Sequence, residues 1–583
     1  VDVEEILDDL RAISESPREQ GVRFERLMCA FFRTDTAYYN QFKNVWMWDD
    51  WPDKWGPDTG IDLVAEHRDG SGYTAIQCKF YGKNITLDKS DIDSFFNESG
   101  KAPFTHRIIV STTDNWTTHA ENSLKNQDKP VNRVGVQALK DSSIDWDAWS
   151  ANNFETLSRR PRKSLRPHQQ NALDDAMNGF EEHDRGQLIM ACGTGKTYTG
   201  QAIAEQVAGI GGNVLVLMPS ISLLSQTLKE WTADAGVPMT PFAVCSDVKA
   251  GKRSDFEDIS PYDLVLPATT DPELLVSRYK KSKPKENMTV IFSTYQSLPV
   301  TMATQDAGMP EFDLVICDEA HRTTGVTLSG ADDSNFTKVH DDTNLKAKKR
   351  LYMTATARVY GDGAKAKASE ADAVLASMDD PSVFGPEFHR LGFDEAVRRD
   401  LLSDYKVLVL AVDEGAVSAA FQKQLSNEDH ELKLDDATRI VGCLNALAKR
   451  NAYGTTFKEG EPAMQRAVAF SNTIAQSKKF KSLFNEISDL WQGKSKVEKP
   501  FQVDVDHVDG KYNSLQREKL IRWLKDDPGD DRCHVLSNAR CLTEGVDVPA
   551  LDAVMFLEPR NSMVDVIQAV GRVMRKAEGK DIG

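Results

Sequence analysis

The chain has 583 residues, 40% hydrophobic and 27% charged, with a formal net charge of −18, enough for roughly three to five domains with their own cores. No apolar run reaches the roughly 18 residues of a membrane span, no signal pattern opens the chain, and its eight cysteines contain no C-x-x-C pair, so no membrane association, zinc site or disulfide frame is expected, and a reducing cytoplasm fits. The acidic total does not exclude a polyanionic partner, because binding depends on where positive charge lies.

Residues 1–150 open with helix-like stretches, "VEEILDDLRAI" and "GVRFERLMCAFF", followed by strand-like runs at "IDLVAEH", "YTAIQCKFY" and "RIIVST". A basic connector is expected at 151–164, leading into "SRRPRKSLRPHQQ", whose charges read as a solvated linker in preference to a nucleic-acid contact. From 165 onward apolar runs alternate with helical stretches: "QLIMA", "VLVLMPS", "DLVLPA", "TVIFST", "DLVICDEA" and "RLYMTAT". A second series follows, "YKVLVLAV", "RAVAFSN", "CHVLSNA" and "AVMFLEP". Such strands indicate parallel sheets covered on both faces.

"LIMACGTGKTYTG", residues 188–200, places a glycine-rich loop between an expected strand and an expected helix. Gly193, Thr194 and Gly195 let backbone N–H groups curl around phosphate oxygens at a helix N-terminus. Lys196 would reach the β- and γ-phosphates of ATP, and the Thr197 hydroxyl would bind Mg²⁺. Met190 occupies the first glycine position of the strict motif, and a plain glycine turn is the alternative. In "FDLVICDEAHR" the acids follow another expected strand. Asp318 would hold Mg²⁺, Glu319 would orient and deprotonate water, and His321 would couple this site to its surroundings.

These residues resemble the superfamily 2 helicases and DNA translocases of the DEAD/DEAH type, with motifs in family order from about 165 to the end. "LRPHQQ" resembles the adenine-reading motif, with Gln169 as the base contact. Pro219 to Gln226, Thr269 to Asp271 and Ser293 to Ser297 are similar to the strand-gripping motifs. Thr354 to Thr356 resembles the motif linking hydrolysis to movement. "LTEGVDVP" resembles motif V through Thr543, Gly545 and Asp547, and "QAVGRVMR" resembles motif VI, with Arg572 and Arg575 as arginine fingers. The resemblance implies an ATP- and Mg²⁺-using motor on double-stranded DNA. Its RecA-like lobes would span 165–385 and 386–583.

In the N-terminal part, Asp62 lies on one strand-like run and Gln77 and Lys79 on the next. Residues two apart on a strand face the same side, so these groups can converge. A carboxylate and an amide carbonyl ligate Mg²⁺, a lysine orients water or stabilises a phosphorane, and Glu25 on the preceding helix would complete the site. Asp58 reads as a turn former in "PDTG". The pattern resembles the Mrr-like branch of the PD-(D/E)XK nucleases, in which glutamine replaces the usual acid. The expected fold is α/β: a restriction-endonuclease-like domain followed by two RecA-like parallel-sheet domains.

This combination resembles the N-terminal half of the single-polypeptide restriction–modification enzymes, also through "DEAHRTTG", "YMTATARVYG" and "FGPEFHRLGFDEAV". That resemblance implies methyltransferase and target-recognition regions in a longer native chain, since no N-P-P-Y methylation motif occurs here. The start at Val1 and the end just past "GRVMR" agree with that expectation. The alternatives are a stand-alone phage-defence or repair helicase–nuclease, and an ATPase whose inactive nuclease fold serves as a DNA-binding module.

Overall fold

The computed structural model describes residues 2–57, 60–246, 261–282, 284–328, 336–361, 373–407, 434–449, 462–492, 501–509, 512, 514–538, 551–558 and 563–576. Asp58 and the motif V residues Thr543, Gly545 and Asp547 lie outside the described residues. The chain forms two compact units, Val1–Met190 with Gly195–Arg390, and Ala191–Thr194 with Leu391–Gly583.

Among the described residues the first unit holds two large sheets and a two-stranded ribbon. The N-terminal sheet runs in the order β1 (Phe42–Met47), β2 (Leu63–His67), β3 (Tyr73–Lys79), β4 (Phe104–Ser111) and β5 (Val131–Val134). β1, β2 and β3 pair antiparallel, and β3, β4 and β5 parallel. The helix Pro17–Thr34 covers one face. Ser16 caps it by accepting from the Glu19 N–H, and Phe24, Leu27, Met28, Phe31 and Phe32 recur at helical spacing, buried against Leu63, Ile76 and Val110.

The strands that follow are β6 (Arg185–Met190), β7 (Asn213–Met218), β8 (Met239–Val244), β9 (Met288–Thr294), β10 (Leu314–Cys317), β11 (Gly325–Leu328), β12 (Arg350–Thr354), β13 (Ala373–Ala376) and β14 (Glu387–Leu391). β11 and β13 pair off as an antiparallel ribbon. The other seven form one sheet, ordered β14-β6-β12-β10-β7-β9-β8. Every residue of β7, β9, β10 and β12 is buried, as both-face covering demands.

Three features depart from the sequence reading. "DLVLPA" is no strand. After a short 3₁₀ turn at Pro261–Asp263, it carries Val265 onto the core of the N-terminal domain, so its apolar character serves a domain interface. β8 escaped notice because Pro241 interrupts it; the strand lies at the edge of the sheet, where a missing N–H is tolerated. Glu387–Leu391, beyond the 385 boundary drawn from sequence, joins the first lobe's sheet beside β6.

The basic connector is also not merely solvated. Backbone bonds join Asp145 to Ser158 and Arg160 to Ser143, tying its start to the N-terminal domain. Lys163 then lies 3.0 Å from the buried Asp234, Arg160 3.6 Å from Asp234, and Arg162 3.1 Å from Glu205.

The N-terminal domain and first lobe are thus one body, and Arg133 on β5 is their main fastener. Its side chain is 1% exposed, pairs with Glu121 of its own domain, and reaches Asp263 of the lobe at 2.8 Å. The rings of Trp116 and Tyr262 flank it, and Asn132 donates to the Leu264 carbonyl at 2.9 Å. Removing the cation would leave two carboxylates buried without it. Arg133→Met is therefore expected to destabilise the first unit by about 3–5 kcal/mol, which chemical denaturation of the full chain would read. A loss within experimental error would show the junction to be carried by apolar contact alone.

In the second unit, β15 (Arg466–Phe470), β16 (Gln502–Val508), β17 (Arg532–Asn538) and β18 (Ala553–Phe556) form a parallel sheet in the order β16-β17-β15-β18. Val468, Phe470 and Leu536 build its core on one face and Ala467, Ala469 and Val535 on the other. Residues 408–412, the last five of "YKVLVLAV", lie outside the described residues. Among those described, no helix is long and apolar enough to cross a membrane.

Candidate functional site

Two candidate sites emerge, one at the end of β6 and one on the N-terminal sheet. At the end of β6 the chain turns through Gly193 (φ +82°) and Gly195 (φ +88°) before the helix Lys196–Val207 begins. Both values lie in the left-handed region that glycine adopts without strain. A Cβ on Gly195 would also run into the Gln169 amide. Gln169 braces the loop: its Oε1 accepts from the Arg166 N–H at 2.9 Å and its Nε2 donates to the Gly195 carbonyl at 3.3 Å. Thr194 donates to the Ala191 carbonyl at 2.7 Å, closing the turn. The Thr197 carbonyl, at the start of the helix, accepts from the Trp231 indole at 3.1 Å.

Asp318 and Glu319 follow β10, next to β7 in the same parallel sheet. Lys196 Nζ lies 3.5 Å from Glu319 Oε1. Burial works to raise the Glu319 pKa, but Lys196 above all, with Arg322, outweighs it and holds the carboxyl below its usual range, so it stays ionised. Asp318 is pushed up to about 6 by burial and by the neighbouring Glu319 carboxylate. Two buried carboxyls thus stand side by side here. That donor set fits a hard divalent cation, with Asp318 and the Thr197 hydroxyl as candidate ligands. Glu319 is held at φ +48°, an uncommon conformation for a residue with a side chain.

His321 Nδ1 lies 3.4 Å from Glu319 Oε2 and 3.1 Å from Thr354 Oγ1, and burial depresses its pKa to about 4, keeping the ring neutral. It therefore stands between Glu319 and Thr354. Tyr295, fully buried, donates to the Asp318 carbonyl at 2.8 Å. The expected strand-gripping residues Ser220 and Asp271 cap helices, Ser220 accepting from the Leu223 N–H and Asp271 from those of Glu273 and Leu274. Arg572 lies in the last turn of the helix Met563–Val573 of the second unit, with Arg575 just beyond it.

The second site lies on the N-terminal sheet. Asp62 stands immediately before β2, and its Oδ2 accepts from the Cys78 N–H at 2.6 Å. This fixes the carboxylate beside the backbone between Gln77 and Lys79. Gln77 is 2% exposed, and its Oε1 has no hydrogen-bond partner among the described residues. A buried carbonyl oxygen without a donor is costly unless a cation or water meets it. The helix bearing Glu25 is held against the end of β3 by Phe24, which stacks on Phe80 with centroids 4.7 Å apart. The Cys78 thiol registers the grouping: burial raises its pKa, the Asp62 and Glu25 carboxylates add to the rise, and Lys79 opposes it. Asp62, Glu25 and Lys79 thus all act on the Cys78 thiol, and Gln77 and Lys79 are two apart on β3. Among the described residues no three His, Cys, Asp or Glu side chains form a metal cluster, so a cation here would rely on the Gln77 carbonyl alongside carboxylate. Sequence reasoning missed Arg133; the visible hint was a charged residue within an otherwise short, buried strand.

Residues 33–156 match a restriction endonuclease family model, residues 162–359 the res subunit of Type III restriction enzymes, and residues 460–577 the helicase conserved C-terminal domain. The structure is similar to an ATP-dependent Type ISP restriction-modification enzyme, LlaBIII, bound to DNA. The TM-score is 0.84 at 39% identity, covering 99% of this chain and 37% of that one. A nuclease-deletion mutant of the Type ISP enzyme LlaGI, in complex with a DNA substrate mimic, matches at 37% identity and TM-score 0.49, covering 72% of this chain and 27% of that one. The probable helicase A859L of African swine fever virus (isolate Pig/Kenya/KEN-50/1950) is 27% identical over 423 residues, 73% of this chain and 41% of that protein. The chain thus spans about two fifths of the length of these first relatives. It carries a restriction-endonuclease-like domain followed by superfamily 2 helicase domains.

Proposed function

We propose that this chain is the nuclease–motor part of a restriction enzyme: an ATP-driven translocase on double-stranded DNA joined to a Mg²⁺-dependent endonuclease that cleaves foreign DNA in the cytoplasm. The observation that carries this reading is structural likeness at 39% identity over 99% of the chain. Methyltransferase and target-recognition regions would belong to a longer protein.

In the motor, the amides of Gly193, Thr194 and Gly195 cradle phosphate and Lys196 neutralises the β- and γ-phosphates, while Gln169 contacts the base. Asp318 and Thr197 would hold Mg²⁺, which offsets charge on the transferring phosphoryl group. Glu319, kept ionised by Lys196, takes the proton of the attacking water. His321 passes the state of Glu319 to Thr354. Gly545 and Asp547 belong to this machinery by resemblance, and Arg572 and Arg575 act as arginine fingers. A finger works on the transition state, so Arg572→Ala is expected to lower turnover about 10³-fold with ATP affinity nearly unchanged. Paired measurements of phosphate release and nucleotide binding check this; an equal loss in both would assign Arg572 to ground-state binding.

In the nuclease, Asp62, Gln77 and Glu25 would hold a cation that polarises the phosphodiester, and Lys79 orients the attacking water or meets the developing negative charge. Among the described residues no third carboxylate joins Asp62 and Glu25 in a metal cluster, which favours one second reading, a nuclease fold that binds DNA without cutting it. Displacement of a triplex-forming strand from duplex DNA tests the motor: ATP-dependent displacement is expected, and ATP hydrolysis indifferent to duplex DNA would sink the translocase.

A further inference from the structure

Between the N-terminal domain and the first lobe lies a cavity of about 680 Å³, within the roughly 300–1,000 Å³ typical of small-ligand sites. Its position sets it apart from both candidate active sites. On the lobe it is lined by Met239 at the start of β8, Asn287 just before β9, and the C-terminal end of the helix Pro272–Lys281. These are the N-terminal ends of parallel strands, whereas the phosphate loop and Asp318 follow the C-terminal ends. On the N-terminal domain it is lined by Lys43 of β1, His67 at the end of β2 and His106 of β4, opposite the edge that bears Asp62 and Lys79.

The cavity contains a cation whose charge is poorly met. Arg278, from that helix, carries a buried Nε with no hydrogen-bond partner among the described residues, and its nearest carboxylate oxygen, on Asp69, is 3.8 Å away. Asp69 is itself partly committed, since its Oδ1 accepts from the Ser71 N–H at 2.9 Å. Burial lowers the Arg278 pKa despite Asp69, so the guanidinium is desolvated beyond what its partner returns. Lys281, one turn along the same helix, and Arg68 line the same space. His67 and His106 add no charge: burial lowers His67 to about 4 and His106 well below its ordinary value. The Phe242 ring lies under the guanidinium at 5.6 Å.

We propose that this cavity binds a small phosphate-bearing anion, with Arg278 and Lys281 as its principal donors and Arg68 at its rim. A planar guanidinium fork beside an ammonium matches tetrahedral phosphate oxygens. The ligand would bridge the two domains at the far edges of both sheets, as an effector, with neither reaction taking place there. Its phosphate comes either from a nucleotide or from free phosphate or pyrophosphate.

Calorimetric titration of the full chain tests this, using Lys196→Ala to silence the phosphate loop. Pyrophosphate is expected to bind the Lys196→Ala chain. Adding Arg278→Gln, or Lys281→Ala at an exposed position that tolerates truncation, should weaken that binding about tenfold or more. AMP binding tighter than pyrophosphate identifies a nucleotide as the source, and equal or weaker AMP binding identifies free phosphate. No pyrophosphate binding by the Lys196→Ala chain overturns the proposal. So does Lys281→Ala, or a folded Arg278→Gln, that binds as tightly as its parent.

Discussion

Lys196→Ala and Glu319→Gln should each reduce DNA-stimulated ATP hydrolysis by about 10²–10⁴-fold or more, but for different reasons. The two side chains form a pair at 3.5 Å, 11% and 14% exposed. Truncating the lysine removes the phosphate contact and also the charge that most strongly counters the effect of burial on Glu319. The carboxyl then shifts toward its protonated form and loses capacity as a base, so binding and chemistry fail together. Glu319→Gln keeps the lysine and the shape of the site. It should bind nucleotide nearly as wild type and stall with the nucleotide intact. Fluorescent-nucleotide titration beside phosphate release separates these outcomes. If Glu319→Gln turns over within a few-fold of wild type, another group activates water.

Cutting should respond to a separate set of side chains. Asp62→Ala and Lys79→Ala are expected to depress Mg²⁺-dependent cleavage on the order of a thousandfold while DNA-stimulated hydrolysis stays near the wild-type rate. Asp62→Ala also removes the 2.6 Å bond to the Cys78 N–H. Asp62→Asn is therefore the sharper variant, since an amide oxygen can still accept that bond but carries no charge for a cation. Plasmid nicking and phosphate release, measured on the same preparations, supply the comparison. A Lys79→Ala chain that cuts like wild type would reassign the domain to DNA binding.

The loops at 188–200 and 313–321 were legible in the sequence because their chemistry dictates residue types locally: positive φ calls for glycine, phosphate for lysine, a cation for an acid after a strand. The placement of Gln77 and Lys79 on one face of β3 was legible because strand periodicity puts alternate residues on the same side. What stayed hidden depended on partners distant in sequence. "DLVLPA" reads as a strand by composition, yet Val265 owes its apolar character to a neighbouring domain's core. Arg160, Arg162 and Lys163 read as solvated until Asp234 and Glu205 meet them. β8 was concealed by Pro241, whose tolerance follows from an edge position that no local pattern announces.

The Arg133 junction bears on how such chains can be recombined. An N-terminal domain fastened by a cation to Glu121 on its own side and Asp263 on the other is not an interchangeable cassette. Grafting a different nuclease onto this lobe at the 151–164 connector would strand Asp263 beside a foreign surface. A working chimera needs its crossover placed so that the 261–265 segment travels with the incoming domain, or needs Asp263 neutralised in the same step. The unit of exchange, in laboratory evolution or in natural shuffling, is therefore larger than the family boundary at residue 156 suggests.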